Sequence, residues 1–63
     1  MTSLNAAVTA AILEAERAPT REKWLRVAEL EGQLSEQAET ELERDIARRG
    51  IETALASARE CDQ

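Results

Sequence analysis

The chain has 63 residues, with 13 acidic side chains against eight basic ones, no histidine and a single cysteine. This length allows one domain, the lone cysteine excludes an internal disulfide, and the absence of histidine argues against a structural zinc site. A formal charge of −5 also disfavours sequence-independent binding to nucleic-acid phosphates.

The first predicted helix covers about residues 4–17. Its apolar residues share helical spacing, and the intervening alanines favour helix: Leu4, Val8, Ala11, Ile12 and Ala15. Thr2 or Ser3 can cap its N-terminus through a side-chain oxygen. Pro19 is expected to stop it, because the residue before a proline is driven out of the α region.

The second predicted helix, about residues 20–31, contains the only aromatic residue, Trp24. Thr20 is expected to cap it. Its apolar side chains occupy two sectors of the helix surface, so we expect it to lie centrally and to pack against more than one neighbour. Gly32 is predicted to end it as a C′ residue, because glycine adopts the left-handed conformation without a Cβ penalty.

A third helix is predicted over about 36–49, with Ser35 as its N-cap. Two arginines and then Gly50 are typical of a helix terminus. Past Gly50 the large apolar residues lie about half a turn around the helix axis from those that precede it. We therefore expect Gly50 either to end the helix, with a fourth helix over 51–60, or to bend one long helix, and we favour a break or a bend.

These elements predict an all-α fold, in which three to four short helices form an up-and-down bundle that is a single domain over residues 1–63. Only thirteen large aliphatic or aromatic residues follow Met1, few for the core of a stable monomer. Because an internal disulfide is excluded and a structural zinc site is disfavoured, we expect a homodimer or a subunit of something larger. The residues predicted for the dimer or partner interface share the apolar faces of helices two and three: Trp24, Val27, Leu30, Leu34, Leu42 and Ile46.

Targeting signals are not apparent in the sequence. No apolar run approaches the ~20 residues of a transmembrane helix. The N-terminal residues lack the basic segment and continuous apolar core of a signal peptide. A single unpaired cysteine fits a reducing compartment, so we expect a cytoplasmic protein without membrane contact.

Catalytic groups are also scarce. Histidine and tyrosine are absent, and there is no glycine-rich phosphate loop, so we expect neither an enzyme nor a cofactor. Glu39 and Glu43 share a helix face, as carboxylate metal ligands would, but di-iron bundles add a Glu-x-x-His motif that this chain cannot supply. We expect these glutamates to be solvated, no metal to be bound, and Cys61 to be an incidental exposed thiol.

Charge is unevenly distributed along the chain. A basic cluster, formed by Arg17, Arg21, Lys23 and Arg26, precedes a strongly acidic segment. Such polarity suits docking on a charged protein partner. The sequence thus favours a non-catalytic regulatory adaptor or accessory subunit that acts through protein–protein association. The alternative is a dimeric nucleic-acid-binding regulator that uses the basic cluster at 17–26, where the lack of a second aromatic for stacking is a disadvantage.

The centre of the chain resembles the Hha/YmoA family of small helical nucleoid-associated regulators. The residues that carry the resemblance follow in similar order and near-similar spacing: Thr20, Arg26, Val27, Leu34, Ser35, Ala47 and Arg49. The resemblance implies a short first helix, a Leu-Ser turn, a longer final helix, and binding to the nucleoid protein H-NS. The aromatic residues of that family's third helix and C-terminal segment have no counterparts here. The length is also similar to that of Rop, a dimeric helical hairpin that binds paired RNA loops, although Pro19 would interrupt Rop's first helix.

Overall fold

The computed structural model describes residues 3–61, which form three helices and no strand. Helix α1 spans Leu4–Arg17, α2 spans Arg21–Gln37 and α3 spans Glu41–Glu60. The predicted all-α class is confirmed, and the first helix has the predicted bounds. Within this part of the chain, none of the helices combines the length and hydropathy that a membrane span requires.

Each helix begins at a hydroxyl side chain. The side-chain oxygens of Ser3, Thr20 and Thr40 each accept a hydrogen bond, 3.1 Å long, from the backbone N–H three residues further on. Such a bond satisfies one of the N–H groups that lack a partner within the helix. The predicted caps Ser3 and Thr20 are confirmed, and Thr2 lies outside the described residues. The prediction of Ser35 as a cap is wrong, because that residue lies inside α2 and Thr40 has the role.

The predicted end of the second helix at Gly32 is also wrong. Helix α2 continues through Gly32 to Gln37, and no described glycine has a positive φ. A glycine within a helix costs only about 1 kcal/mol relative to alanine, which the packing of the following turns can offset. Among those turns, Leu34 and Ser35 are half-buried. The third helix accordingly begins at Glu41, five residues later than predicted.

The expected break at Gly50 does not occur, since α3 is one continuous helix and there is no fourth. The buried side chains of α3 are all small: Ala47, Ala54 and Ala58. The large residues Ile46 and Leu55 stand half a turn apart on either side of this stripe, since they are nine positions apart. The half-turn shift in the sequence therefore marks the two edges of an alanine-lined contact rather than the start of a new helix. The alternative of a bend at Gly50 stays a prediction.

Helix α2 lies between the other two, as predicted. It packs against both α1 and α3, whereas no Cα atom of α1 lies within 8 Å of one of α3. Consecutive helices are joined by only three residues, so they run antiparallel. The Cα atoms extend 36 × 25 × 12 Å, a thin layer of helices. One buried residue from each helix forms the core cluster, Ala15, Val27 and Ala54. The central helix thus contributes the largest residue of that cluster, and alanines of its neighbours cover it.

Candidate interaction face

The structure divides the six residues predicted for the interface. Val27 and Leu30 are buried within the chain, and Trp24 is half-buried against the core cluster. Leu42 and Ile46, one turn apart on α3, are 70% and 62% exposed. The surface that remains for another molecule is therefore centred on these two side chains and on the half-buried Leu34.

Beside these side chains lies a groove of about 430 Å³. We call it the α2–α3 groove, because the C-terminal half of α2 and the N-terminal half of α3 form most of it, with one residue from α1. Its lining residues are Asn5, Glu31, Leu34, Gln37, Ala38, Glu39, Glu43, Ile46 and Ala47. The volume is within the range of small-ligand and side-chain pockets. The groove therefore joins an exposed apolar edge to a polar interior.

Glu31 is the polar residue that distinguishes this groove. It is only 9% exposed, and within residues 3–61 its carboxyl takes part in no hydrogen bond or ion pair. Burial raises the pKa of Glu31 above its ordinary value, since desolvation disfavours the charged form. A carboxyl in this position costs stability unless a donor or cation reaches it.

Gly50 explains how this carboxyl fits between the helices. A Cβ atom added at Gly50 would lie 2.7 Å from Cδ of Glu31 and 2.7 Å from its Oε2, far inside van der Waals contact. The absence of a side chain on α3 at this point therefore makes room for the carboxyl. The glycine in the middle of α3 has a packing reason, although it costs about 1 kcal/mol of helix stability.

The charged residues among the described lining of the groove are all acidic. Two further carboxylates, those of Glu39 and Glu43, line it, and no lysine or arginine does. The Glu43 carboxylate also accepts a hydrogen bond of 3.1 Å from the backbone N–H of Glu39, just before α3. One of the two glutamates considered as metal ligands thus helps to begin a helix. Within the described residues, no group of three or more Cys, Asp or Glu side chains is arranged to hold a metal ion.

The basic cluster is not gathered into one surface. Lys23 Nζ lies 3.4 Å from Glu14 Oε1, and Arg26 Nη1 lies 3.4 Å from Glu29 Oε2. Lys23 and Arg26 line a shallow cleft on the α1 side of α2, whereas Arg21 lines a cleft on the α3 side. Carboxylates therefore offset part of the positive charge, and the remainder is divided between two sides of the molecule.

Cys61 is an exposed free thiol at the C-cap of α3. Its backbone N–H donates to carbonyl oxygens of the last turn, including those of Ser57 and Ala58. The backbone of this residue thus helps to terminate the helix. None of the described grooves includes its side chain among its lining residues.

Sequence reasoning did not single out Glu31 or Gly50. Glu31 lies in the acidic segment that follows the basic cluster, yet it follows Val27 by four positions and precedes Leu34 by three. This spacing places it on the apolar face of the helix. The position of this carboxylate within an apolar stripe is therefore the sequence feature that could have identified Glu31. The role of Gly50 has no such signal, because it depends on which residue of another helix lies opposite.

No model of a known protein family, no curated protein and no solved structure matches the chain. The resemblance to the Hha/YmoA family therefore stays a prediction.

Proposed function

We propose that the chain acts through protein–protein association, as a small non-catalytic regulatory adaptor or accessory subunit, and that it forms a homodimer. The observation that carries this proposal is the pair of exposed side chains, Leu42 and Ile46, beside the α2–α3 groove. Contiguous apolar surface of this kind marks interaction sites on small proteins.

The total surface area supports the same conclusion. A folded monomer of 7.0 kDa is expected to expose about 4,000 Å². The chain exposes 4764 Å². The excess of about 760 Å² is close to the roughly 800 Å² that each partner buries in a standard protein interface. Such an excess fits a thin layer of helices that leaves several large apolar side chains exposed, with Leu42 and Ile46 among the most exposed.

Sedimentation equilibrium over a wide concentration range tests the dimer. We expect the mean mass to rise from 7.0 kDa towards twice that value as concentration increases. Ile46→Glu should raise the dimer dissociation constant at least about tenfold, because the interface would then bury an unpaired charge.

The matched control is Leu13→Glu. Leu13, on α1, is 61% exposed, nearly the same as Ile46, but it does not line the groove. This variant makes the same change in charge and should alter the dissociation constant less than about twofold, as surface substitutions usually do. A wild-type chain that stays monomeric up to roughly 1 mM, or equal effects of the two substitutions, would contradict the proposed dimer.

A further inference from the structure

We propose that the α2–α3 groove binds an arginine side chain that projects from the apolar face of a basic amphipathic helix of a partner protein, with its guanidinium paired to Glu31. This inference rests on the proposed function, because it names the chemistry of the partner that the adaptor would recognise. The groove adjoins the proposed dimer contact, since Ile46 lines it and Leu42 does not, and the closing experiments separate the two.

The first argument is the state of Glu31. Glu31 lines the groove, is 9% exposed and has no partner within the described residues, and its carboxyl oxygens keep some contact with solvent. Buried carboxylates in proteins are normally paired or hydrogen-bonded. Gly50 accommodates the group, so the space that it occupies is part of the packing of α2 against α3. The chain thus holds at the groove an acceptor for which it supplies no donor of its own, and which a donor from solvent or from another molecule can reach.

The second argument is charge complementarity. Glu39 and Glu43 share the groove with Glu31, and no lysine or arginine is among its described lining residues. An approaching positive charge meets carboxylates at the rim and then a desolvated carboxylate inside, where screening by salt is weaker than at the surface. An anionic segment would be repelled, whereas a cation can both donate to Glu31 and offset the charge of Glu39 and Glu43. Charge complementarity therefore favours a cationic occupant.

The third argument selects arginine on an amphipathic segment. The remaining lining includes the apolar side chains of Leu34, Ile46 and Ala47, which suit the aliphatic stem of a long basic residue. Guanidinium is planar, is weakly hydrated and can donate two parallel hydrogen bonds to one carboxylate, which ammonium cannot. Leu42 at the edge then offers contact to the apolar neighbours of that arginine on a partner helix.

The test measures binding of two synthetic peptides by isothermal titration calorimetry. The probe is an acetylated, amidated amphipathic peptide of about 18 residues, five helical turns, with leucines on one face, one arginine in the middle of that face and arginines opposite. The control peptide has glutamine in place of the apolar-face arginine only. We expect the wild-type chain to bind the probe at least about tenfold more tightly than the control peptide.

Two matched variants assign that preference to the groove. Glu31→Gln keeps the shape of the side chain and removes its charge, and we expect the preference to fall below about twofold. Glu36→Gln makes the same change at an exposed glutamate of α2 that does not line the groove, and should keep the preference. Thermal melts of both variants check that each remains folded.

Several results would overturn this inference: no binding of the probe at roughly 1 mM, a preference that survives in Glu31→Gln, or a preference lost equally in Glu36→Gln. Weaker self-association of Glu31→Gln, with the peptide preference intact, would also overturn it and assign the cation to a second copy of the chain. A wild-type dimer that binds neither peptide would leave the proposed function in place and remove only this inference.

Discussion

The two ends of the inward face of α2 differ in what covers them. At the closed end, which we define by the core cluster, Ala15 and Ala54 leave Val27 almost inaccessible. The next buried residue is Leu30, and at the open end, defined by the α2–α3 groove, Glu31 follows it beside unfilled space. One helix thus serves both purposes: its closed end stabilises the fold, and its open end presents an unpaired carboxyl with an apolar rim. The comparison indicates that stability and recognition are assigned to different turns of α2.

The largest expected effect is on the free energy of unfolding, which should change more on substitution at the closed end than at the open end. Val27→Ala should lower the free energy of unfolding by about 2 kcal/mol, because a fully buried valine side chain contributes 1.5–3 kcal/mol. Ile46→Ala, at the open end, should lower it by less than about 0.5 kcal/mol. Urea denaturation at concentrations where the chain is monomeric measures both. Equal losses would show that the open end also belongs to the folding core.

The second prediction concerns the carboxyl at the open end. Burial raises the pKa of Glu31 above its ordinary value of 4.5, so the folded chain holds this proton more tightly than the unfolded chain does. The contribution of the group to stability is therefore greatest below pH 4.5 and falls as pH rises towards the raised pKa. Because glutamine does not titrate, Glu31→Gln should lack this fall and should be more stable than the wild type by on the order of 1 kcal/mol at neutral pH.

Urea denaturation midpoints measured across that pH range check whether the stability advantage of Glu31→Gln over the wild type grows with pH. Glu39 and Glu43 line the same groove and titrate in both proteins, so their contribution largely cancels in the difference. Glu36→Gln, at an exposed site, should follow the wild-type profile. A stability advantage of Glu31→Gln that does not grow with pH would contradict the buried state of this carboxyl.

Local signals in the sequence predicted the fold class and two of the three helix starts. Ser3 and Thr20 are readable because a cap involves only residues three positions apart. The third start was misplaced because Ser35 and Thr40 are both suitable caps, and tertiary packing decided between them. Of the candidate site, the exposed residues Leu42 and Ile46 were named in advance. The groove was not, since it depends on how Glu31 and Gly50 meet across two helices.

The two glycines provide the smallest and most controlled comparison. Both lie inside helices, and replacement by alanine should improve helix propensity equally, by about 0.5–1 kcal/mol. A Cβ at Gly32 would meet no atom within 4 Å, so Gly32→Ala should realise that gain in full. A Cβ at Gly50 would overlap the Glu31 carboxyl, so Gly50→Ala must displace the end of that side chain. The displacement cost offsets the gain, and we expect a net change near zero.

Gly50→Ala in the Glu31→Ala background should recover the full gain, because the obstructing carboxyl is then absent. Urea denaturation of the four proteins forms a double-mutant cycle, and a coupling energy of zero would show that Gly50 does not accommodate Glu31.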